Sequence, residues 1–245
     1  MKYNQKHGVD TQFQYNLPEI IDSEKLFGRN FYFVGGAEEV SQMLLYADLQ
    51  NPKRILDIGS GIGGPAFLMA RKYNACVDGI DLSSSMHQLA KKRVVEEGLT
   101  DQVHFFLGDI LTEELPGAYD LIFSSSVFLH IHKKDLLIER IFNLLNKGGK
   151  LLFGDYCIDK ESDDMQEYIS KYNYHLLHME EWHDLLARHG FHQIAAIDCT
   201  ERFAEKSKEL LQVANISPDW VSVIQKRNIR VSRGEQKWCV FCCQR

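Results

Sequence analysis

The amino-acid sequence predicts an α/β fold in which a mostly parallel sheet carries helices on both faces. Short apolar segments alternate with helical patterns from about Arg54 to Cys157, as expected when each strand returns to the same sheet through a helix. A glycine-rich turn directly follows the first apolar segment. With 245 residues, of which 44% are hydrophobic, the chain can bury one sizeable core. Sheets of this class bind ligands beyond the carboxyl ends of their strands.

The first 50 residues are expected to form a helical lid ahead of the sheet. Apolar residues recur at helical spacing from Ala37 to Leu45, after a break at Gly35 and Gly36. The alternation that follows predicts strands near Ile55–Ile58, Cys76–Asp81, Val103–Gly108, Tyr119–Ser124 and Lys150–Asp155. It predicts helices near Pro65–Lys72, Ser85–Gly98 and Lys134–Leu145.

The last third of the chain completes the sheet and adds a helical cap. A helix near Glu180–His189 and strands near His192–Cys199 and Gln236–Cys243 bring the predicted sheet to seven strands. Residues 159–178 are polar and rich in tyrosine, residues 201–231 have a helical pattern, and both are expected to be cap insertions. The chain shows no repeat or linker, so residues 1–245 are predicted to form a single domain.

The charge and hydropathy of the chain limit the kinds of partner that it is expected to bind. The formal net charge of −6 argues against a nucleic-acid partner, because no broad basic surface is implied. No apolar stretch is long enough to span a bilayer, and the first residues lack the apolar core of a signal peptide. We therefore expect a cytoplasmic protein without stable membrane insertion. We also expect a monomer that acts on a small molecule.

The six cysteines are expected to be structural. Cys76, Cys157 and Cys199 lie in predicted strands, where cysteine packs as a small apolar residue. Cys239, Cys242 and Cys243 form a C-x-x-C-C cluster, but a zinc site needs a fourth ligand at workable spacing, and none is near in sequence. Alternation along the last strand explains this cluster more simply, so no metal is expected.

The glycine turn indicates a nucleotide-like ligand. Residues 54–64 read Arg-Ile-Leu-Asp-Ile-Gly-Ser-Gly-Ile-Gly-Gly, a strand that ends in a turn where positive φ and close backbone approach favour glycine. The turn fits two patterns. Gly59, Gly61 and Gly64 match the G-x-G-x-x-G of dinucleotide-binding proteins, which alone is a weak signal. Asp57, Gly59, Gly61 and Gly63 spell D-x-G-x-G-x-G.

The second pattern is similar to the cofactor turn of class I S-adenosylmethionine (SAM)-dependent methyltransferases, and downstream features favour it. The second strand ends in Asp81, the third ends in Asp109, and Leu144–Leu152 contains a glycine turn before the fifth strand. Four such features in this order resemble that family, and they imply its Rossmann-like fold. The implied cofactor is SAM and the product is S-adenosylhomocysteine.

The resemblance also implies how SAM is held. Asp57 and the glycines of the turn would surround its methionine end, with Ser124 near the same moiety. Asp81 would accept hydrogen bonds from the ribose, and Asp109 would meet the adenine amino group. Leu82 and Ile110 would lie against the adenine. The expected cofactor-binding residues are Asp57, Gly59, Gly61, Gly63, Asp81, Leu82, Asp109, Ile110 and Ser124.

Further segments resemble one subgroup, the phosphoethanolamine N-methyltransferases. The matching segments are Gln14-Tyr15, Phe27-Gly28-Arg29-Asn30, Gly35-Gly36, Leu129-His130, Asp155-Tyr156-Cys157, Tyr168 and Tyr174. This resemblance implies that Tyr15 and His130 form the catalytic pair and help to deprotonate the amine. An alkylammonium has no lone pair until it loses a proton, and a group that titrates near neutral pH suits that task. Phosphoethanolamine and its methylated forms are the implied substrates.

The chain departs from that subgroup in its substrate pocket. Ser126 stands where the family has an acidic residue near the substrate nitrogen, and Tyr172 stands where it has an arginine that binds phosphate. Arg227 matches a late basic residue of the family. The expected substrate-binding residues are Ser126, Tyr156, Tyr168, Tyr172, Tyr174 and Arg227. The catalytic pair is thus retained while substrate recognition is altered, because tyrosine cannot reproduce the two-pronged contact of arginine with phosphate.

Three alternatives remain open from sequence. The acceptor could be another small molecule, with methylation at another amine, a hydroxyl or a carbon. The chain could bind SAM without transferring a methyl group, which the changes at Ser126 and Tyr172 would suit. A nicotinamide oxidoreductase is supported only by the degenerate glycine match.

Overall fold

The computed structural model describes residues 17–213 and 215–245, with side chains from Ile20 onward. Tyr15 lies outside the described residues. Seven strands form one sheet, whose bounds are β1 Arg54–Ile58, β2 Cys76–Asp81, β3 Val103–Leu107, β4 Tyr119–Ser125, β5 Leu145–Ile158, β6 His192–Asp198 and β7 Gln236–Gln244. The order across the sheet is β3-β2-β1-β4-β5-β7-β6. The strands β1 to β5 run parallel, and β7 pairs antiparallel with both β5 and β6.

Helices connect and flank these strands in the described part of the chain. Their bounds are α1 Leu17–Phe27, α2 Gly36–Ala47, α3 Gly64–Tyr73, α4 Ser84–Glu96, α5 Lys134–Leu144, α6 Asp163–Tyr172, α7 Met179–Arg188, α8 Thr200–Glu209 and α9 Pro218–Ser232. Short 3₁₀ turns occupy Phe128–His130 and Leu210–Gln212. None of the described helices is long and apolar enough to cross a membrane.

The core consists of two layers, one on each face of the sheet. Successive residues of a strand alternate between the layers, so Leu152 packs with α2, α3 and α8, whereas Phe153 packs with α5 and α7. Phe153 stacks on Phe241 with ring centroids 4.7 Å apart, and Trp182 closes over both rings. Burial of each such side chain contributes roughly 1.5–3 kcal/mol. The two layers fix the carboxyl ends of β1 to β5 along one edge of the sheet.

The structure confirms the predicted α/β architecture and extends one strand beyond its predicted bounds. β5 begins at Leu145, directly after α5, and continues to Ile158 rather than ending at Asp155. Pairing with β7 from Lys150↔Gln244 to Ile158↔Gln236 accounts for the extension past Asp155, and the Tyr119↔Leu145 pair with β4 accounts for the early start. The Asp155-Tyr156-Cys157 segment therefore lies within the strand, where its side chains point alternately to opposite faces.

Two cysteine predictions need correction. Cys76 begins β2 but is exposed, so it does not pack as a core residue. Cys199 is buried, yet it follows β6 and immediately precedes α8. In β7, Cys239 and Cys243 pack into the layer with α5 and α7, while Cys242 packs into the opposite layer. Strand alternation is therefore the explanation of the C-x-x-C-C cluster.

Candidate active site

The glycine turn between β1 and α3 is held against the end of β2. The N–H groups of Gly59 and Ser60 both donate to the Ile80 carbonyl, at 2.8 and 3.1 Å. Gly63 has a φ of 98°, and a Cβ there would lie 2.5 Å from the Phe67 ring. Gly61 has a φ of 53°, but a Cβ there would meet nothing within 4 Å. Gly61 therefore borders open space, as a backbone that receives a ligand must.

Asp57 is the last residue but one of β1, and its carboxyl group is buried, with the residue only 1% exposed. One of its oxygens, Oδ2, has no hydrogen-bond partner within the described residues. Burial, followed by the nearby Asp81 carboxylate, raises its pKa well above the ordinary value. A buried acceptor without a donor costs free energy, so this oxygen suits the ammonium group of an amino-acid ligand.

Asp81 links the glycine turn to the first turn of α4. Its Oδ2 accepts a hydrogen bond from the Gly61 N–H at 2.8 Å, and its Oδ1 accepts one from the Ser83 N–H at 2.8 Å. Burial raises the pKa of Asp81, and these two donors oppose that rise. The carboxylate thus lies at the open side of the turn, where the sequence predicted a ribose partner.

The expected adenine contacts lie at the ends of β2 and β3. Leu82 is 67% exposed, and Asp109 is also exposed, with Oδ1 accepting from the Leu111 N–H at 2.9 Å. Ile110 is buried in the core layer beneath them. Leu82 follows β2 and Asp109 lies two residues after β3, and these strands pair in register, so an apolar side chain and an acceptor lie at the same edge of the sheet.

The Ser124 hydroxyl has a hydrogen-bond partner in the sheet, whereas the Ser125 hydroxyl has none within the described residues. Ser124 is buried, and its hydroxyl donates to the Ile58 carbonyl at 3.0 Å, which joins β4 to β1. Ser125 Oγ is buried without a hydrogen-bond partner in the described part of the chain. Sequence reasoning missed Ser125 as a candidate ligand contact, although the run Ser124-Ser125-Ser126 at the end of a predicted strand was visible.

The lid segment lies directly on the cofactor turn. The Gly64 N–H at the start of α3 donates to the Asn30 carbonyl at 3.0 Å. Ile20 of α1 is fully buried against Ile62 of the glycine turn and Met86 of α4. Glu24 accepts a hydrogen bond from Arg93 at 2.8 Å, in a pair that is 13% exposed on both sides. Residues 20–30 of the predicted lid therefore pack against the glycine turn and α4.

His130 ends the 3₁₀ turn that follows β4. Its ring meets the edge of Tyr174 with centroids 5.1 Å apart. The residue is accessible to solvent, but protein atoms surround its ring closely enough that desolvation is the main cause of a pKa lowered to about 4. The charges of Lys134 and His175 act in the same direction. The imidazole is therefore neutral near pH 7 with a lone pair free for a proton, but a pKa of about 4 makes it a weaker base than a group that titrates near neutral pH.

The tyrosines of the cap form one cluster. Tyr168, Tyr172 and Tyr174 contact one another with ring centroids 5.2–5.4 Å apart, and Tyr172 stacks on Tyr174. Through Tyr174 this cluster reaches the His130 ring. The structure thus brings three of the predicted substrate-binding residues beside the predicted base. Aromatic faces of this kind attract cations.

Buried arginines lie on the other side of the tyrosine cluster. Arg227 is 6% exposed, donates from Nη1 to the Tyr156 hydroxyl at 3.0 Å and lies over the Phe203 ring. It forms no ion pair with the residues that the structure describes. Arg230 was missed from sequence: it is 5% exposed, and its guanidinium carbon lies 3.7 Å from the Tyr168 ring centroid. Arg227, as a buried cation without a carboxylate partner, suits an anionic ligand, whereas Arg230 already pairs with Asp164 at 3.9 Å.

Ser126 takes a left-handed conformation at the end of β4. Its φ is 59°, and its N–H donates to the Gly154 carbonyl at 2.9 Å. Non-glycine residues adopt this region rarely, and such strain is common at functional sites. The described residues contain no group of three His, Cys, Asp or Glu side chains arranged to hold a metal ion.

Similarity to known proteins agrees with this geometry. The model of the methyltransferase domain family matches residues 49–190. Over 244 residues the chain is 33% identical to a wheat (Triticum aestivum) phosphoethanolamine N-methyltransferase, and the alignment covers 93% of this chain and 48% of that protein. Over 194 residues it is 34% identical to the Plasmodium falciparum phosphoethanolamine N-methyltransferase, covering 77% of this chain and 72% of that enzyme.

A solved structure extends the similarity to three dimensions. Phosphoethanolamine N-methyltransferase 2 of Haemonchus contortus, in complex with phosphomonomethylethanolamine and S-adenosylhomocysteine, superposes with a TM-score of 0.88 at 29% identity. The match covers 96% of this chain and 58% of that chain. The chain spans about half the length of the wheat relative. These similarities confirm the predicted fold class and family resemblance, and they favour the SAM pattern of the glycine turn over the dinucleotide pattern.

Proposed function

Because the chain belongs to the phosphoethanolamine N-methyltransferase family of SAM-dependent methyltransferases, we propose that it methylates the nitrogen of a small phosphobase. Phosphoethanolamine and its mono- and dimethyl forms are the proposed substrates. The observation that carries the proposal is a continuous path of contacts from His130 through Tyr174 and Tyr168 to Arg230, beside the buried Arg227. A phosphobase has an amine at one end and a phosphate at the other, which matches a neutral base and aromatic faces at one end and cations at the other.

The cofactor end would be held by strand ends and the glycine turn. The methionine moiety fits beside Asp57 Oδ2, which lacks a hydrogen-bond partner in the described residues, and at the open side of Gly61. The ribose hydroxyls fit beside Asp81. Leu82 and Asp109 fit the adenine. SAM supplies a methyl group that its sulfonium has already activated. The chain must therefore bring a neutral amine into line with that methyl more than it must add electrostatic force.

His130 would make the amine nucleophilic. As a neutral imidazole, it accepts the proton of the substrate ammonium, which frees the nitrogen lone pair for attack on the methyl carbon. Tyr15 is proposed as its partner, on the strength of the family resemblance alone. The tyrosine faces would hold the cation that Ser126 cannot neutralise, because serine carries no charge.

The phosphate end would lie at Arg227, with Arg230 behind the Tyr168 ring. Phosphate oxygens are strong acceptors, and charge-assisted hydrogen bonds from guanidinium are among the stronger polar contacts. Arg227 would thereby replace the arginine that the family has at Tyr172. We also propose a monomer in the cytoplasm without nucleic-acid partners, and the net charge of −6 supports the last of these three points.

The test is S-adenosylhomocysteine release from SAM with a matched panel of acceptors. Each phosphobase is paired with its unphosphorylated amine, so that only the phosphate differs. We expect turnover on at least one phosphobase and a far higher KM for the paired amine. Turnover on the unphosphorylated amines alone would mean another acceptor. Saturable SAM binding without turnover on any compound would mean a binding protein, and either result would overturn the proposal.

A further inference from the structure

The turn that carries His130 is held by two buried charged residues outside the proposed catalytic pair. We propose that Lys134 and Asp155 are positioning residues that fix the His130 turn in its reactive arrangement. This inference rests on the proposed role of His130. It concerns neither the cofactor nor the acceptor directly, since both residues act through the backbone of residues 127–131.

Lys134 holds the carbonyl groups of the turn. The residue is in the first turn of α5 and is 8% exposed. Its Nζ donates to the Phe128 carbonyl at 2.7 Å and also to the Ile131 carbonyl, so one ammonium spans both ends of the His130 turn. The same ammonium lies 5.6 Å from the centroid of the Trp182 ring. Burial lowers the pKa of Lys134, and the Asp155 charge opposes that change.

Asp155 holds the amide groups of the same turn. It lies in β5 and is 1% exposed. Its Oδ2 accepts from the Leu129 N–H at 2.9 Å, and the Phe128 amide also donates to the carboxyl group. Its Oδ1 accepts from the Tyr156 N–H at 2.8 Å. Burial raises the pKa of Asp155, while these donors and the Lys134 charge favour the carboxylate.

The turn needs such support because it is short. A 3₁₀ segment of three residues makes few hydrogen bonds of its own, here His130 N–H to the Val127 carbonyl and Ile131 N–H to the Phe128 carbonyl. The remaining Leu129 carbonyl accepts from the His175 N–H at 2.7 Å, which ties the turn to the cap. Asp155 therefore satisfies two amides that the turn leaves unpaired, while Lys134 satisfies the Ile131 carbonyl and gives the Phe128 carbonyl a second donor.

Stability alone gives little reason for these buried charges. Desolvation of two charges opposes folding, and apolar replacements of similar volume are often as stable or more stable. Directed hydrogen bonds to four backbone groups provide what apolar packing cannot, a single fixed position for the His130 Cα. Displacement of a catalytic group by about 1 Å can cost on the order of 100-fold in rate.

The test compares three variants that should keep the fold but differ in which contacts to the His130 turn they retain. Lys134→Met removes the ammonium donor, and Asp155→Asn removes the charge and one of the two acceptor oxygens. Lys133→Met is the matched control, because Lys133 is the exposed neighbour with the same charge. For each we would measure kcat, the KM for phosphobase, the Kd for SAM and the His130 ring resonances by NMR, assigned with His130→Ala. The NMR readout does not depend on activity.

We expect kcat to fall roughly 10- to 100-fold in Lys134→Met and Asp155→Asn, with the KM and the Kd for SAM within about twofold of wild type. The His130 resonances should broaden or split in both, and Lys133→Met should match wild type throughout. Folded variants with unchanged kcat and unchanged His130 resonances would overturn the inference. If Lys134→Met fails to fold, Lys134→Gln and Asp155→Asn carry the same comparison. If wild type methylates no phosphobase, the proposed function fails, and the His130 resonances alone decide the positioning role.

Discussion

At the cofactor end of the cleft, the candidate ligand groups are backbone atoms of one turn and carboxylates at the ends of adjacent strands. At the acceptor end they are side chains from several elements: His130 after β4, Tyr168 in α6, Tyr174 after it, and Arg227 in α9. The first region depends on local backbone geometry, and the second depends on tertiary packing. A change in one region should therefore leave binding at the other largely intact, and variants can test that separation.

The largest effect is expected at His130. In His130→Ala, kcat should fall by roughly 100- to 10,000-fold, because the proposed general base is lost. The Kd for SAM should stay within about twofold, since the ring contacts the cap and not the glycine turn. Turnover assays and SAM titration of the same preparation make the comparison. Retained turnover would remove His130 from the mechanism, and lost SAM affinity would show that the two ends are not separate.

Asp81 is the matching test at the cofactor end. Asp81→Ala loses the acceptor for the Gly61 and Ser83 amides as well as the proposed ribose contact, so SAM should bind about 10- to 100-fold more weakly. Asp81→Asn keeps one acceptor and should lose less. Isothermal titration with SAM measures both variants. Affinity equal to wild type in Asp81→Ala would contradict the assignment of this strand end.

The same contrast explains how much the sequence could predict. The glycine turn and the aspartates at the ends of β1 and β2 follow from a local pattern, because strand, turn and helix are contiguous in the chain. Ser125 and Arg230 were missed, since their importance depends on burial and on contacts such as Arg230 over Tyr168 that join distant segments. The pairing with β7 that lengthens β5 is also nonlocal.

The family resemblance supplied what local patterns could not. It selected His130 and the cap tyrosines, which the structure brings into contact. Without it, His130 would be one of 10 histidines, with no local signal to distinguish it. Lys134 and Asp155 were not assigned by either route, because each acts on the backbone of a turn whose conformation a sequence does not show.

A variant of Arg227 tests the part of the acceptor site that is proposed to bind the substrate phosphate. Arg227→Gln should raise the KM for phosphobase about tenfold or more, because the proposed charge-assisted hydrogen bond to phosphate is lost. The Kd for SAM should not change. Arg233→Gln is the control, since Arg233 is an exposed arginine at the end of the same helix. An equal effect of both variants on the KM would mean that general surface charge, rather than a phosphate site, attracts the substrate.

The smallest effect concerns the stability of the protein at acid pH. His130 has a pKa of about 4 in the folded chain, below the value near 6.5 expected when unfolded. Between these values the unfolded chain binds more protons, so the free energy of unfolding decreases as pH falls from about 6.5 toward 4. Above pH 6.5 the group has no effect. His130→Gln removes this contribution and should lose less stability than wild type over that range.

His130 is exposed as a whole residue, so solvent screening should keep the difference between the two proteins below about 1 kcal/mol. Urea unfolding of both proteins at pH 7.5 and pH 5 measures this difference. The contributions of the other histidines cancel, because both proteins contain them. The same experiment bears on the acceptor end of the cleft. If His130 makes the free energy of unfolding sensitive to acid, its ring is held unprotonated in the folded protein before any substrate binds. Parallel loss of stability in both proteins would mean that the ring is hydrated like a surface histidine, and that substrate binding itself must exclude water from it.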